Sequence, residues 1–172
     1  MNKPTASHIH PNIETRQMPN HILLEEVRRQ LQAGHTVTLR VKGNSMRPFL
    51  ESGRDKVLLA APTTTKIGDV ALILADDGRY ILHRVVALDE DGGCTLWGDG
   101  NVRGREHASA ENIIGVANGF YRYKSERYCS CDSLRWRCYS AIWMHTTPFM
   151  RRCLLFLYRK WMGMKKLFLP NQ

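Results

Sequence analysis

The 172-residue sequence contains no stretch that reads as a membrane-spanning segment. A spanning helix needs about 20 consecutive apolar residues. The most apolar late stretch, Cys153-Leu154-Leu155-Phe156-Leu157-Tyr158, is six residues between basic clusters. The opening MNKPTASHIHPNIETRQMPN has no apolar core, so neither a secretory signal nor an N-terminal anchor is expected there. Cysteine is sparse and irregular: Cys94, Cys129, Cys131, Cys138 and Cys153 form an odd set with no CxxC pair. That spacing supports neither a zinc ribbon nor a disulfide framework, and it is compatible with a reducing environment. No internal repeat or low-complexity segment is evident.

Acidic residues are scarce in one region only. Residues 1–119 carry 14 Lys and Arg against 14 Asp and Glu, whereas residues 120–172 carry 11 against 2, Glu126 and Asp132. The whole formal charge of +9 therefore sits in the last part of the chain. Such asymmetry points to an anionic surface, either lipid headgroups or nucleic acid.

The pattern divides the chain into a polar arm at 1–18, a body at 19–122 and a basic tail at 123–172. A helix is expected over 20–33. Asn20 is its cap, Glu25 and Glu26 lie near its positive end, and Gly34 is its stop. Leu23, Leu24, Val27 and Leu31 give it an apolar stripe. From Thr36 the period changes to two, with Val37, Leu39 and Val41 alternating with polar residues. Further strands are expected at Lys56–Ala61, Val70–Leu74, Arg79–Leu88, Cys94–Trp97 and Asn112–Tyr121. Asp76-Asp77-Gly78 and Asp89–Gly93 supply hairpin turns. The expected class is mainly β: a compact antiparallel domain over 36–122, with an N-terminal helix and a helical basic tail.

Within the tail, Trp136, Trp143, Phe149, Phe156, Tyr158, Trp161 and Phe168 are interleaved with arginines and lysines, and Pro148 divides two helical pieces. Two readings compete for the later piece. It lies in a membrane interface, or it packs on the β-domain with a solvated basic face. Nucleic acid is the weaker partner, because no recognised binding module accompanies the charge. The first reading places the protein on a membrane without a complete spanning helix, and the second leaves it cytoplasmic.

Four short segments carry the chemistry. Gly43-Asn44-Ser45-Met46-Arg47-Pro48 follows a strand directly, so a tight turn can project the Ser45 hydroxyl. A serine in a polar turn is usually a cap or turn residue. In Tyr80-Ile81-Leu82-His83-Arg84-Val85-Val86, His83 shares a strand face with Ile81 and Val85. A histidine on an apolar face is usually a satisfied core residue, although an imidazole also serves as a base near neutrality. Gly98-Asp99-Gly100-Asn101 and Gly68-Asp69-Val70 read singly as turns.

Their order and spacing together change the reading. Ser45-Met46-Arg47-Pro48, then Gly68-Asp69-Val70, then His83-Arg84-Val85, then Gly98-Asp99-Gly100-Asn101, resembles the type I signal peptidase family over about residues 36–119. A histidine at the base position resembles the endoplasmic-reticulum and archaeal type. Bacterial members carry lysine there, as do the self-cleaving repressors of the SOS response that share the fold. The resemblance implies Ser45 as nucleophile and His83 as general base. Asp99 would orient His83 or stabilise its imidazolium. The Ser45 backbone N–H would serve as an oxyanion donor, and Met46 would shape a pocket for small side chains. Asp69 and Arg84 are read as structural.

The expected activity is a serine endopeptidase that cleaves leader or signal segments after small residues. It uses no cofactor and takes a peptide or preprotein leader as substrate. Two alternatives stand beside it: a peptide-binding module of the same fold that does not cut, and a self-cleaving regulator.

Overall fold

The computed structural model describes residues 20–122 and 127–168, so the arm at 1–18 lies outside the described residues. In chain order the elements are α1 (Asn20–Gln32), β1 (Val37–Arg40), β2 (Lys56–Ala60), β3 (Val70–Leu74), β4 (Tyr80–Leu88), β5 (Cys94–Trp97) and β6 (Glu106–Ala108). A short 3-10 turn at Ala110–Asn112 leads into β7 (Ile113–Tyr121), which is followed by β8 (Tyr128–Ser130), α2 (Leu134–Met144) and α3 (Pro148–Phe168). The strands form one antiparallel sheet in the order β1-β2-β7-β3-β4-β5-β6, with β8 also on β7, curled into a half-barrel. The mainly β class expected from the alternation is therefore the class observed.

Local chemistry sets these elements. Val27 and Leu31 of α1 are buried against the sheet, and Gly34, at φ +82°, ends the helix with its N–H on the Leu31 carbonyl. A Cβ at Gly115 of β7 would lie 2.6 Å from Leu31 Cδ1, so a glycine there lets the helix seat. The β3–β4 hairpin closes as expected: Gly78 has φ +78°, and Arg79 N–H donates to the Asp77 carboxylate at 3.1 Å.

Two apolar clusters line opposite faces of the sheet. One holds Val27, Leu31, Leu50, Val57, Leu59, Phe120 and Trp136, with Tyr80 and Leu82 packed against it. The other holds Ala71, Ile73, Ile81, Val85, Leu96 and Val116. Strand β4 supplies both clusters by simple alternation. Each fully buried Leu, Ile or Phe contributes about 1.5–3 kcal/mol, so the sheet is held from both sides.

The tail carries two helices on either side of Thr146–Thr147, as the break at Pro148 led one to expect, but a strand precedes them. It first adds β8, pairing Tyr128 with Tyr121 and Ser130 with Gly119. Three residues in basic surroundings give no readable period. Ser133 then caps α2, its Oγ accepting from Trp136 N–H, and Trp136 and Trp143 are buried. Pro148 opens α3 in the first-turn position where its missing N–H costs nothing. That helix docks through Arg151 and Leu155, both buried, and through Tyr158, whose hydroxyl donates to Glu51.

Candidate active site

Ser45 lies in the turn that leaves β1. Its apolar neighbours hold that turn down: Met46, Phe49 and Leu50 are buried, and Leu50 N–H donates to the Met46 carbonyl at 2.9 Å. Glu51 and Asp55 close the far side, with Glu51 N–H on Asp55 Oδ2 at 2.9 Å and Arg47 paired to Glu51 at 2.8 Å. Ser45 itself remains half-buried. Among the described residues its backbone N–H donates to no protein acceptor, as a free oxyanion donor requires.

The Gly98–Asn101 turn docks directly on this loop. Gly100 N–H donates to the Ser45 carbonyl at 2.7 Å. A Cβ on Gly98 would meet that same carbonyl oxygen at 2.5 Å and His83 Nε2 at 2.8 Å. A Cβ on Gly100 would meet the Asn44 carbonyl at 2.5 Å. Neither glycine has positive φ. Both are needed because backbone passes against backbone there. The Ser45 carbonyl and His83 Nε2 thus flank one point beside Gly98.

His83 and Ser45 line a single cavity of about 240 Å³, together with Val41, Met46, Leu82 and Asn101. No hydrogen bond joins Ser45 to His83 among the described residues, and His83 Nδ1 is buried without a partner there. Burial drives the His83 pKa down to about 4; the charge of Asp99 opposes this shift and that of Arg79 adds to it. The ring is therefore neutral at pH 7.

Of the two roles that the resemblance implied for Asp99, orienting His83 by a hydrogen bond does not fit its placement, and stabilising the imidazolium by its charge does. Its carboxylate receives both arms of Arg84, at 2.8 and 2.6 Å, and the Tyr139 hydroxyl at 3.2 Å. The reason is strand alternation: His83 faces one cluster with Ile81 and Val85, and Arg84 points to the other face and takes Asp99 there. Asp99 acts on His83 through its charge, not through a hydrogen bond. Arg84, read from the sequence as structural, is 1% exposed and also donates to the Gly68 carbonyl and Ser140 Oγ. Asp69 accepts Lys66 N–H at 2.9 Å, a hydrogen bond within its own turn.

The chain matches no protein-family model and no curated protein.

Several contributors carry no signal in the sequence. Tyr139 and Ser140 of α2 complete the Arg84–Asp99 pair. Arg151 of α3 lies 3.6 Å from the Trp97 ring centre and donates to the Gly98 carbonyl at 3.3 Å. Lys42, Arg79 and Glu106 put charge on the cavity rim. Tyr139, Ser140, Arg151 and Glu106 come from segments distant in sequence, so spacing alone does not reveal them; Lys42 and Arg79 adjoin the Ser45 and His83 segments, and nothing in those segments marks them as rim residues.

The surroundings suit an extended chain. Strand β1 ends the sheet, and β5 pairs β4 only over Arg84–Leu88, so Tyr80–His83 keeps one edge unpaired. An apolar depression of about 250 Å³, lined by Leu39, Val41, Leu59, Leu72, Tyr80 and Leu82, adjoins the Ser45 cavity through Val41, Lys42, Tyr80 and Leu82. Among the described residues no cluster of His, Cys, Asp or Glu is placed to hold a metal ion.

Proposed function

We propose that this protein is a serine endopeptidase of signal-peptidase type, cutting leader or signal segments after small residues. The support for this reading is one juxtaposition: Ser45 and a neutral His83 line the same cavity beside two unpaired strand edges. An extended peptide adds to such an edge through its backbone and drops alternate side chains into the depressions.

In the reaction, His83 Nε2 takes the Ser45 proton as Oγ attacks the scissile carbonyl carbon. The oxygen so charged is met by the Ser45 N–H. His83 then returns the proton to the leaving amine, and water hydrolyses the acyl-enzyme by the same route in reverse. A base with pKa about 4 is always neutral at pH 7 but weak. The growing oxyanion beside the ring and the fixed charge of Asp99 both favour the imidazolium as it forms.

A second reading has its own observation. His83 Nδ1 lacks an orienting partner among the described residues, and Ser45 is not bonded to the ring, as suits a groove that binds peptide without cutting it. A panel of leader peptides, with a serine-directed phosphonate probe, separates the two. The peptidase reading expects cleavage and labelling of Ser45 that disappear in Ser45→Ala and His83→Ala. Peptide binding with no cleavage and no labelling leaves the binding module, and full cleavage by Ser45→Ala ends the peptidase reading.

A further inference from the structure

Helix α3 uses only one of its faces on the body. At about 100° per residue, Arg151, Leu155 and Tyr158 fall on one side, and the first two are buried. About a quarter to a third of a turn away runs a second stripe of Met150, Leu154, Leu157, Trp161 and Met164, all exposed, with Trp161 at 47% and Leu157 at 62%. The rest of the circumference carries Arg152, Arg159 and Lys160, all exposed, with Phe149 and Phe156 among them. The helix sequence PFMRRCLLFLYRKWMGMKKLF contains no acidic residue.

We infer that α3 is an interfacial helix that lies along an anionic phospholipid bilayer with its Met150–Met164 stripe inserted. An apolar stripe this large left in water is uncommon in a monomer and marks a surface that meets a partner. Its chemistry selects the occupant. The stripe holds Leu, Met and Trp, Lys160 flanks it, and Arg152 and Arg159 lie on the opposite side of the helix, the division into an apolar and a basic face of helices that lie in the headgroup region. A second copy of this chain would bring two wholly cationic helices together. A nucleic acid would meet the basic residues but leave the apolar stripe in water. Among the described residues no helix is long and apolar enough to cross a membrane, so the helix would lie on the bilayer rather than span it.

The placement links the bilayer to the Ser45 loop. Leu155, Tyr158 and Arg159 line a crevice with Asn44, Arg47 and Gly100. A bilayer against the stripe would thus hold the cavity within about a helix diameter or two of the lipid surface. The inference does not rest on the peptidase reading, because lipid binding is measured without any substrate.

The test is co-sedimentation of the full chain with vesicles of phosphatidylcholine, or of equal phosphatidylglycerol and phosphatidylcholine. Binding to the anionic vesicles is expected. On neutral lipid or in high salt it should weaken by about five-fold for each basic side chain that no longer has an anionic headgroup to attract it. The double variant Leu157→Gln, Met164→Gln should bind about ten-fold less or worse, with an unchanged melting midpoint because both side chains are exposed. Wild-type protein that stays in the supernatant at low salt overturns the inference. So does a double variant that binds as the wild type does, or equal binding to both kinds of vesicle.

Discussion

Acidification should destabilise this protein through one ring. His83 is 4% exposed, and burial brings its pKa from 6.5 to about 4. Above pH 6.5 the imidazole is neutral in both folded and unfolded chains, and it contributes nothing to any pH dependence. Between 6.5 and about 4 the unfolded chain binds a proton that the folded one refuses, so stability falls as pH falls through that window. Below about 4 both states are protonated and the loss levels off. A tenfold difference in proton affinity between the two states corresponds to about 1.4 kcal/mol, so the full loss is about 3 kcal/mol. It equals a large part of the stability of an ordinary domain.

Urea unfolding of wild type and His83→Gln, at matched pH from about 7.5 down to about 4.5, isolates this effect. Carboxylates also titrate near the lower end, but they are common to both proteins and cancel in the difference. Wild type should lose about 2–3 kcal/mol more than the variant across the window. Parallel curves would refute the reasoning, because they would mean that the ring is hydrated in the folded state. Peptidase activity should show the same group. Its acid limb is expected near pH 4, where His83 gains a proton and ceases to be a base; a limb near 6.5 contradicts the buried placement.

Two more predictions concern the neighbours of that ring. Asp99→Asn leaves Arg84 buried without its counter-charge and should cost about 3–5 kcal/mol in urea unfolding; a variant of wild-type stability that merely loses activity would return Asp99 to an orienting role. Gly98→Ala places a Cβ 2.5 Å from the Ser45 carbonyl, so the loop must move. It should lower stability by about 1–3 kcal/mol and abolish labelling of Ser45 by a phosphonate probe, and unchanged labelling would show that the two turns are not in register.

Much of this architecture is legible in the sequence because it is periodic. The two-residue period of Tyr80–Val85 alone separates His83 from Arg84, and the structure keeps that separation. What the period does not say is where Asp99 goes. Gly98-Asp99-Gly100-Asn101 reads as a turn, and a turn offers its carboxylate to either face; a buried arginine with five donors wins it over an imidazole. The two glycines are equally opaque. They look like turn residues chosen for φ, yet their φ is ordinary and what matters is the absent Cβ. The tail is hardest. β8 is three residues long, and Trp136 and Trp143 look from the sequence like exposed aromatics among arginines, although both are core.

These particulars converge on why His83 stays neutral. Asp99 is close enough for its charge to reach the ring and to oppose the effect of burial. Arg84 sits on the same carboxylate with both arms, at 2.6 Å for the nearer, which weakens that field without removing it. A second cation, Arg151, backs the same turn from α3. Desolvation therefore prevails at His83. Three groups that hold the Arg84–Asp99 pair and its turn, Tyr139, Ser140 and Arg151, belong to the tail. The tail is then part of the support behind the site and not an appendage to it. Lipid bound along one side of α3 would act on a helix whose other side holds the carbonyl of Gly98, the residue packed between Ser45 and His83.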